Sequence, residues 1–111
     1  MQNGILSNKR NPANNYLVKE ILEADPKQII LKIYDYAILN CQKQDLAKTT
    51  QALQELINAL KFDDENVSTI SIGLLRLYQY CQDQMRKRNY HIVYKILSDL
   101  RSTWISIFNQ K

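Results

Sequence analysis

Residues suited to covalent or acid–base chemistry are few in this chain of 111 residues. His91 is the only histidine. An activated nucleophile needs a base within hydrogen-bond reach, and no Ser/His/Asp or Cys/His set stands out. A carboxylate di-metal centre in a helical bundle needs Glu-x-x-His on facing helices. Arg88 stands three residues before His91, so that centre cannot be built. The glutamates Glu20, Glu23, Glu55 and Glu65 fall outside the apolar stripes of the chain. Cys41 and Cys81 form no Cys-x-x-Cys, which indicates neither a zinc knuckle nor a disulfide framework. Both fall on apolar stripes, where cysteine behaves as a small hydrophobe. Gly4 and Gly73 are the only glycines, so no phosphate-cradling loop can be written. The expectation is a protein that is not an enzyme and takes no cofactor or metal.

Binding is better provided for. Six of the seven tyrosines come as close pairs: Tyr34/Tyr36, Tyr78/Tyr80 and Tyr90/Tyr94. Separations of two or four residues on a helix do not place both members in one narrow stripe. Some of the rings must therefore sit at the edge of the core or on the surface. Tyrosine is favoured at protein interfaces, where it offers area and a hydroxyl at low entropic cost.

These residues need elements to position them, and the patterning is helical. Asp25-Pro26-Lys27-Gln28 opens a first helix: Asp25 as N-cap, Pro26 at the first helical position, Gln28 completing a capping box. Its stripe is Ile29, Ile30, Ile33, Tyr34, Ala37, Ile38 and Cys41, in helical steps of three and four. Asp45 caps a second helix with the stripe Leu46, Thr49, Leu53, Leu56, Ile57 and Leu60. The run from Phe62 to Asn66 reads as a loop, its acids placed ahead of the next helix N-terminus. A third helix is expected over roughly 67–88, with one stripe of Ile70, Leu74, Leu77, Cys81 and Met85. A second set, Ile72, Leu75 and Tyr78, points elsewhere. Such a helix is either central in the fold or leaves a groove for a partner. The fourth helix runs from near Asn89 to about Phe108, on Ile92, Val93, Ile96, Leu97, Leu100, Trp104, Ile107 and Phe108. Asn89 suits a positive-φ reversal before it. Gly73, inside the third helix, suggests close approach of a neighbouring helix or a bound segment.

Four helices of about 16 to 22 residues with short links favour antiparallel neighbours. The expected fold is all-α: an antiparallel up-down four-helix bundle over residues 25–111, behind an N-terminal arm or short extra helix over residues 1–24. With no proline after Pro26 and one glycine after Gly4, a turn-rich β architecture is excluded. No apolar run approaches the ~20 residues of a membrane span. Residues 1–25 lack a signal-peptide pattern, so a cytoplasmic protein is expected, with no membrane insertion. The charge of +4 collects late, around Arg86-Lys87-Arg88. No basic stripe continues from that cluster, so it reads as a solvated helix end favoured by the C-terminal dipole, and nucleic acid is not an expected partner.

Three stretches carry a resemblance. They are Asn11-Pro12 with Tyr16, Ala24-Asp25-Pro26, Ile33-Tyr34-Asp35 and Ala37; then Leu74-x-x-Leu77-Tyr78-x-Tyr80 with Met85 and Asn89; then Leu100-Arg101-x-x-Trp104. In this order and spacing they resemble the FliS family of flagellar export chaperones, over about residues 11–104. The chain departs from that pattern where Asp25 stands for a serine, Tyr36 for a glycine, Gln79 for an aspartate and Ala13 for an arm tyrosine. The resemblance implies a chaperone of flagellar type III secretion in the bacterial cytosol, a helical bundle without cofactor or activity. It implies that the disordered C-terminal segment of flagellin wraps the bundle and is kept from polymerising before export. Flagellar export components are further candidate partners. It implies too that the N-terminal arm lies over the binding surface. On that footing Tyr34, Leu75, Leu77 and Tyr78 are expected to line or border the groove, with Tyr16 and Ile21 covering part of it. The alternative from the same architecture is a helical adaptor for another helical or unstructured protein.

Overall fold

Each helix starts and stops where local chemistry demands it. The computed structural model describes residues 26–110. The arm over residues 1–24, with Tyr16 and Ile21, and the Asp25 cap lie outside the described residues. Helix α1 spans Pro26–Gln42, α2 Leu46–Asn58, α3 Glu65–Arg86 and α4 Tyr90–Phe108. Asp45 caps α2 by accepting the Lys48 N–H at 2.9 Å. Asp64 caps α3 by accepting from the backbone N–H of Asn66 and Val67. That cap starts α3 two residues before the expected Val67, because the acids serve the helix and not only the loop. α2 is the short member at 13 residues, below the expected length.

α1 packs against α2 and α4, and α3 packs against the same two helices. The result is an all-α, up-down four-helix bundle. The α3–α4 pairing is the least extensive of the four.

Two of the three links are the same device. In the first, the Asp45 N–H reaches Asn40 O and the Gln44 N–H reaches Cys41 O. In the third, the Asn89 N–H reaches Gln84 O and the Arg88 N–H reaches Met85 O. These paired bonds define a Schellman stop, whose turning residue takes the left-handed conformation. Gln44 has φ 58° and Arg88 has φ 64°. The positive φ therefore falls on Arg88 and not on Asn89, which has φ −90°. Asn89 spends its side chain on Gln84 Oε1 at 2.6 Å instead.

Both Schellman links lie at one end of the bundle, and that end is closed. Cys41, Thr49, Cys81, Met85, Val93 and Leu97 are fully buried there or in the middle. The other end holds the first turns of α1, the α2–α3 link and the last turns of α4. Ile70 and Ile107, expected on core stripes, are 63% and 47% exposed there. Leu46 and Ile92, expected on core stripes too, are exposed at the closed end. Tyr78, assigned by periodicity to a second face, is in the core at 2% exposure. Among the described residues no heavy atom lies within 4 Å of where a Cβ on Gly73 would stand, so none of the other three helices approaches it closely.

Candidate functional site

One residue from each of the three stretches singled out in the sequence meets the others in space. Tyr34 of α1, Tyr78 of α3 and Trp104 of α4 form one hydrogen-bonded chain. Trp104 Nε1–H donates to Tyr34 Oη at 2.9 Å, and the Tyr34 and Tyr78 hydroxyls lie 2.5 Å apart. One turn away, Arg101 of α4 donates from Nε to Asp35 of α1 at 2.5 Å. The hydroxyl chain is buried, and the ion pair stands at the surface beside it. An exposed pair of this kind contributes about 1 kcal/mol or less. The buried chain is costlier to break, since a polar group out of water must find a partner.

Burial sets the chemistry of this centre. It raises the Tyr34 hydroxyl pKa first by desolvation, then through Tyr78. Desolvation likewise raises Tyr78 above its ordinary 10.0. The Cys81 thiol is pushed up to about 12, first by desolvation and then by Cys41. Cys41 is raised by desolvation as well. Its S–H donates to Tyr90 O at 3.3 Å. A thiol kept protonated is a poor nucleophile. Among the described residues no group of three or more His, Cys, Asp or Glu is placed to hold a metal. No helix among them is long and apolar enough to cross a membrane.

What the open end offers is an apolar groove of about 280 Å³. Ile30 of α1, Leu60 after α2, and Val67, Ile70 and Leu74 of α3 supply its walls, while Tyr78 and Trp104 close its inner side. A second shallow groove of about 500 Å³ runs between α1 and α2. Ile29, Ile33, Tyr36 and Ala52 line it, with Lys32, Gln51 and Glu55 at its margins. Both grooves use the N-terminal half of α1, so they lie on adjoining faces of the same end.

The residues expected to bind a partner separate under this geometry. Tyr34 and Tyr78 are core residues at 0% and 2% exposure. Of the two, only Tyr78 borders the end groove. Leu75 and Leu77 are half-buried on the flanks of α3 and line neither groove. The groove residues missed by sequence reasoning are Ile30, Leu60, Val67 and Ile70. Ile30, Leu60 and Ile70 were read as core because they continue the stripes, and Val67 stood as the first helical residue. The available signal was their position: each sits near a helix end, where a stripe outruns the partners able to cover it.

Comparisons with family models, curated proteins and solved structures gave no match for this chain. The fold class is thus an up-down four-helix bundle, and the functional reading rests on the groove and on the residues above.

Proposed function

We propose that this chain is a flagellar export chaperone of the bacterial cytosol that docks the unstructured C-terminal segment of flagellin. The observation that carries the reading is the apolar groove at the open end, where Ile70 stands 63% exposed among further apolar side chains. A segment that orders on binding gives up conformational entropy and needs a long apolar surface to offset it. The end groove and the α1–α2 groove adjoin, which suits a segment that wraps the bundle. An amphipathic helix would place its i, i+3/i+4 and i+7 side chains there. The resemblance of the three stretches to the flagellin chaperones supports the choice of partner. Residues 1–24 compete for the same surface through Tyr16 and Ile21 in this reading.

The discriminating substitution is Ile70→Asp. Tyr78→Ala does not serve, since truncating a buried aromatic ring costs about 3–5 kcal/mol of fold stability. Ile70→Asp is expected to leave thermal unfolding within about 0.5 kcal/mol of the wild type, as an exposed substitution should. Its affinity for a flagellin C-terminal peptide, measured by calorimetry, should fall about ten- to a hundred-fold, the worth of one buried aliphatic side chain. A wild-type chain that gives no heat with the peptide up to about 1 mM overturns the flagellin reading. Binding of a different unstructured protein in the same groove would then favour the adaptor.

A further inference from the structure

Charge is unevenly placed along the axis of the bundle. The first and third links lie side by side at the closed end, where Gln44 of one and Arg88 and Asn89 of the other line a single shallow cavity. That packing joins Lys43 of the first link and Lys48 of the first turn of α2 to Arg86, Lys87 and Arg88. All five side chains are exposed. The sequence shows only the last three as a cluster, because the other two reach them through the fold. Two carboxylates stand at the same end. Asp45 caps α2, and Asp83 pairs with Arg86 and Lys87. Five cations against two carboxylates leave a surplus of three positive charges there. At the opposite end, among the described residues, Asp63, Asp64 and Glu65 stand with Lys27 and Lys61, and the balance is negative.

The cations of the closed end are interleaved with apolar side chains. Leu46 and Ile92, in the first turns of α2 and α4, are 43% and 40% exposed. Tyr94 is exposed too and lines a neighbouring cavity with Gln44. A partner for this face has to be anionic, has to accept apolar contact and has to meet both links at once. A nucleic-acid duplex is anionic, but its phosphate surface is curved and offers Leu46 and Ile92 nothing to enter. An acidic peptide needs a surface long enough to offset its ordering, and the cavities here are shallow. A bilayer with anionic headgroups meets all three demands. It is flat, so the end of a bundle can rest on it by both links. Its interfacial layer takes up aliphatic side chains and tyrosine rings beside lysine and arginine.

We propose that the closed end docks on an anionic lipid surface, with Lys43, Lys87 and Arg88 among the headgroups and Leu46 and Ile92 at the acyl boundary. The contact is peripheral, as no helix among the described residues is long and apolar enough to cross a membrane. The field of the surface turns the acidic end away, so the end groove stays accessible while the chain is docked. Nothing in this contact depends on which polypeptide the groove takes.

Cosedimentation of the full chain with vesicles tests the assignment. Phosphatidylcholine vesicles are compared with vesicles that also hold about 30% phosphatidylglycerol. At about 50 mM salt the chain should pellet with the anionic vesicles and stay in solution with the neutral ones; about 0.5 M salt should release it. Lys43→Gln/Arg88→Gln should weaken binding about 25-fold, since each cation near such a surface is worth about five-fold. Glutamine already holds the left-handed position at Gln44, so the third link tolerates it. Lys27→Gln/Arg76→Gln removes the same charge from exposed positions elsewhere and should cost less than about three-fold. Ile92→Ser should weaken vesicle binding about five-fold, for partial burial of one aliphatic side chain. Failure to pellet with anionic vesicles at low salt overturns the proposal, as does an equal loss in the two double variants. A DNA duplex bound more tightly than the vesicles, with the same dependence on Lys43 and Arg88, overturns it in favour of nucleic acid.

Discussion

Tyr34 holds three helices in register through one oxygen. It accepts from Trp104 of α4 and bonds to Tyr78 of α3, while its own backbone belongs to α1. Tyr34→Phe keeps the ring and removes only that oxygen. The Trp104 N–H and the Tyr78 hydroxyl then each lose a partner, at a cost of about 1–3 kcal/mol. A fall of this size in denaturant stability is expected; an unchanged midpoint would show that the chain contributes nothing to the fold. The buried thiol makes a second prediction at this scale. Cys81 rises from 9.0 to about 12 on folding, and it is neutral when protonated. As pH climbs past 9.0 the unfolded chain loses this proton first, so the unfolded state binds fewer protons than the folded one. Stability is therefore full below that value and declines toward about 12. Urea unfolding from neutral to alkaline pH checks it, and Cys81→Ala should soften the decline. Tyr34 and Tyr78, both raised above 10.0, add to the loss at the upper end.

At the scale of the elements, the two Schellman links show where strain is carried. The left-handed conformation costs an L-residue roughly 1–2 kcal/mol, and glycine escapes that cost. Arg88 and Gln44 both adopt it with full side chains. Arg88→Gly should therefore stabilise the bundle, less the 0.4–1 kcal/mol or so that glycine adds to the freedom of the unfolded chain. A net gain of about 0.5–1 kcal/mol raises the melting temperature by about 2–6 °C in a domain of this size. Lys87→Gly is the control: with φ −85° there is no strain to relieve, and the melting temperature should fall. Neither change touches the grooves, so peptide affinity should hold. The exposed Arg86 and Lys87 both reach Asp83 of their own helix. The basic cluster is thus partly answered at its source.

The whole molecule is asymmetric along its axis. One end is closed by short links and a filled core. The other holds the longer α2–α3 link and the apolar groove. In the docking reading the partner sits at the open end, where apolar side chains stay uncovered. The chain also enters the bundle there, at Pro26, three residues before Ile29 and four before Ile30. Deleting residues 1–22 tests whether they compete for the grooves. A chain freed of a competing segment should bind the flagellin peptide tighter by the inverse of the fraction left open before deletion. An unchanged dissociation constant would remove the covering role proposed for Tyr16 and Ile21.

Much of this was legible before any tertiary structure. The proline and aspartate positions, the 3.6-residue stripes and the missing glycines sufficed for four helices, their order and the Asp45 cap, because caps and periodicity are local properties of the chain. The buried thiols followed from the same stripes. The groove was not legible, for a physical reason. A stripe says which face of a helix is apolar, yet it does not say how far along that face a neighbour reaches. Ile70 and Tyr78 illustrate the difference. Periodicity set Ile70 in the core and Tyr78 on another face; packing reversed them, because the core of α3 is centred between the two stripes, on Ser71, Tyr78, Cys81 and Met85. That Tyr34, Tyr78 and Trp104 share one hydrogen-bonded chain was equally hidden, since only the packing of α1, α3 and α4 brings residues so far apart in sequence within 3 Å of one another. Helix content and order were thus determined by the sequence alone. Which apolar side chains stay uncovered at the open end, and that Tyr78 and Trp104 border the groove there, were decided by how the helices pack, because a stripe carries no record of the neighbour that covers it.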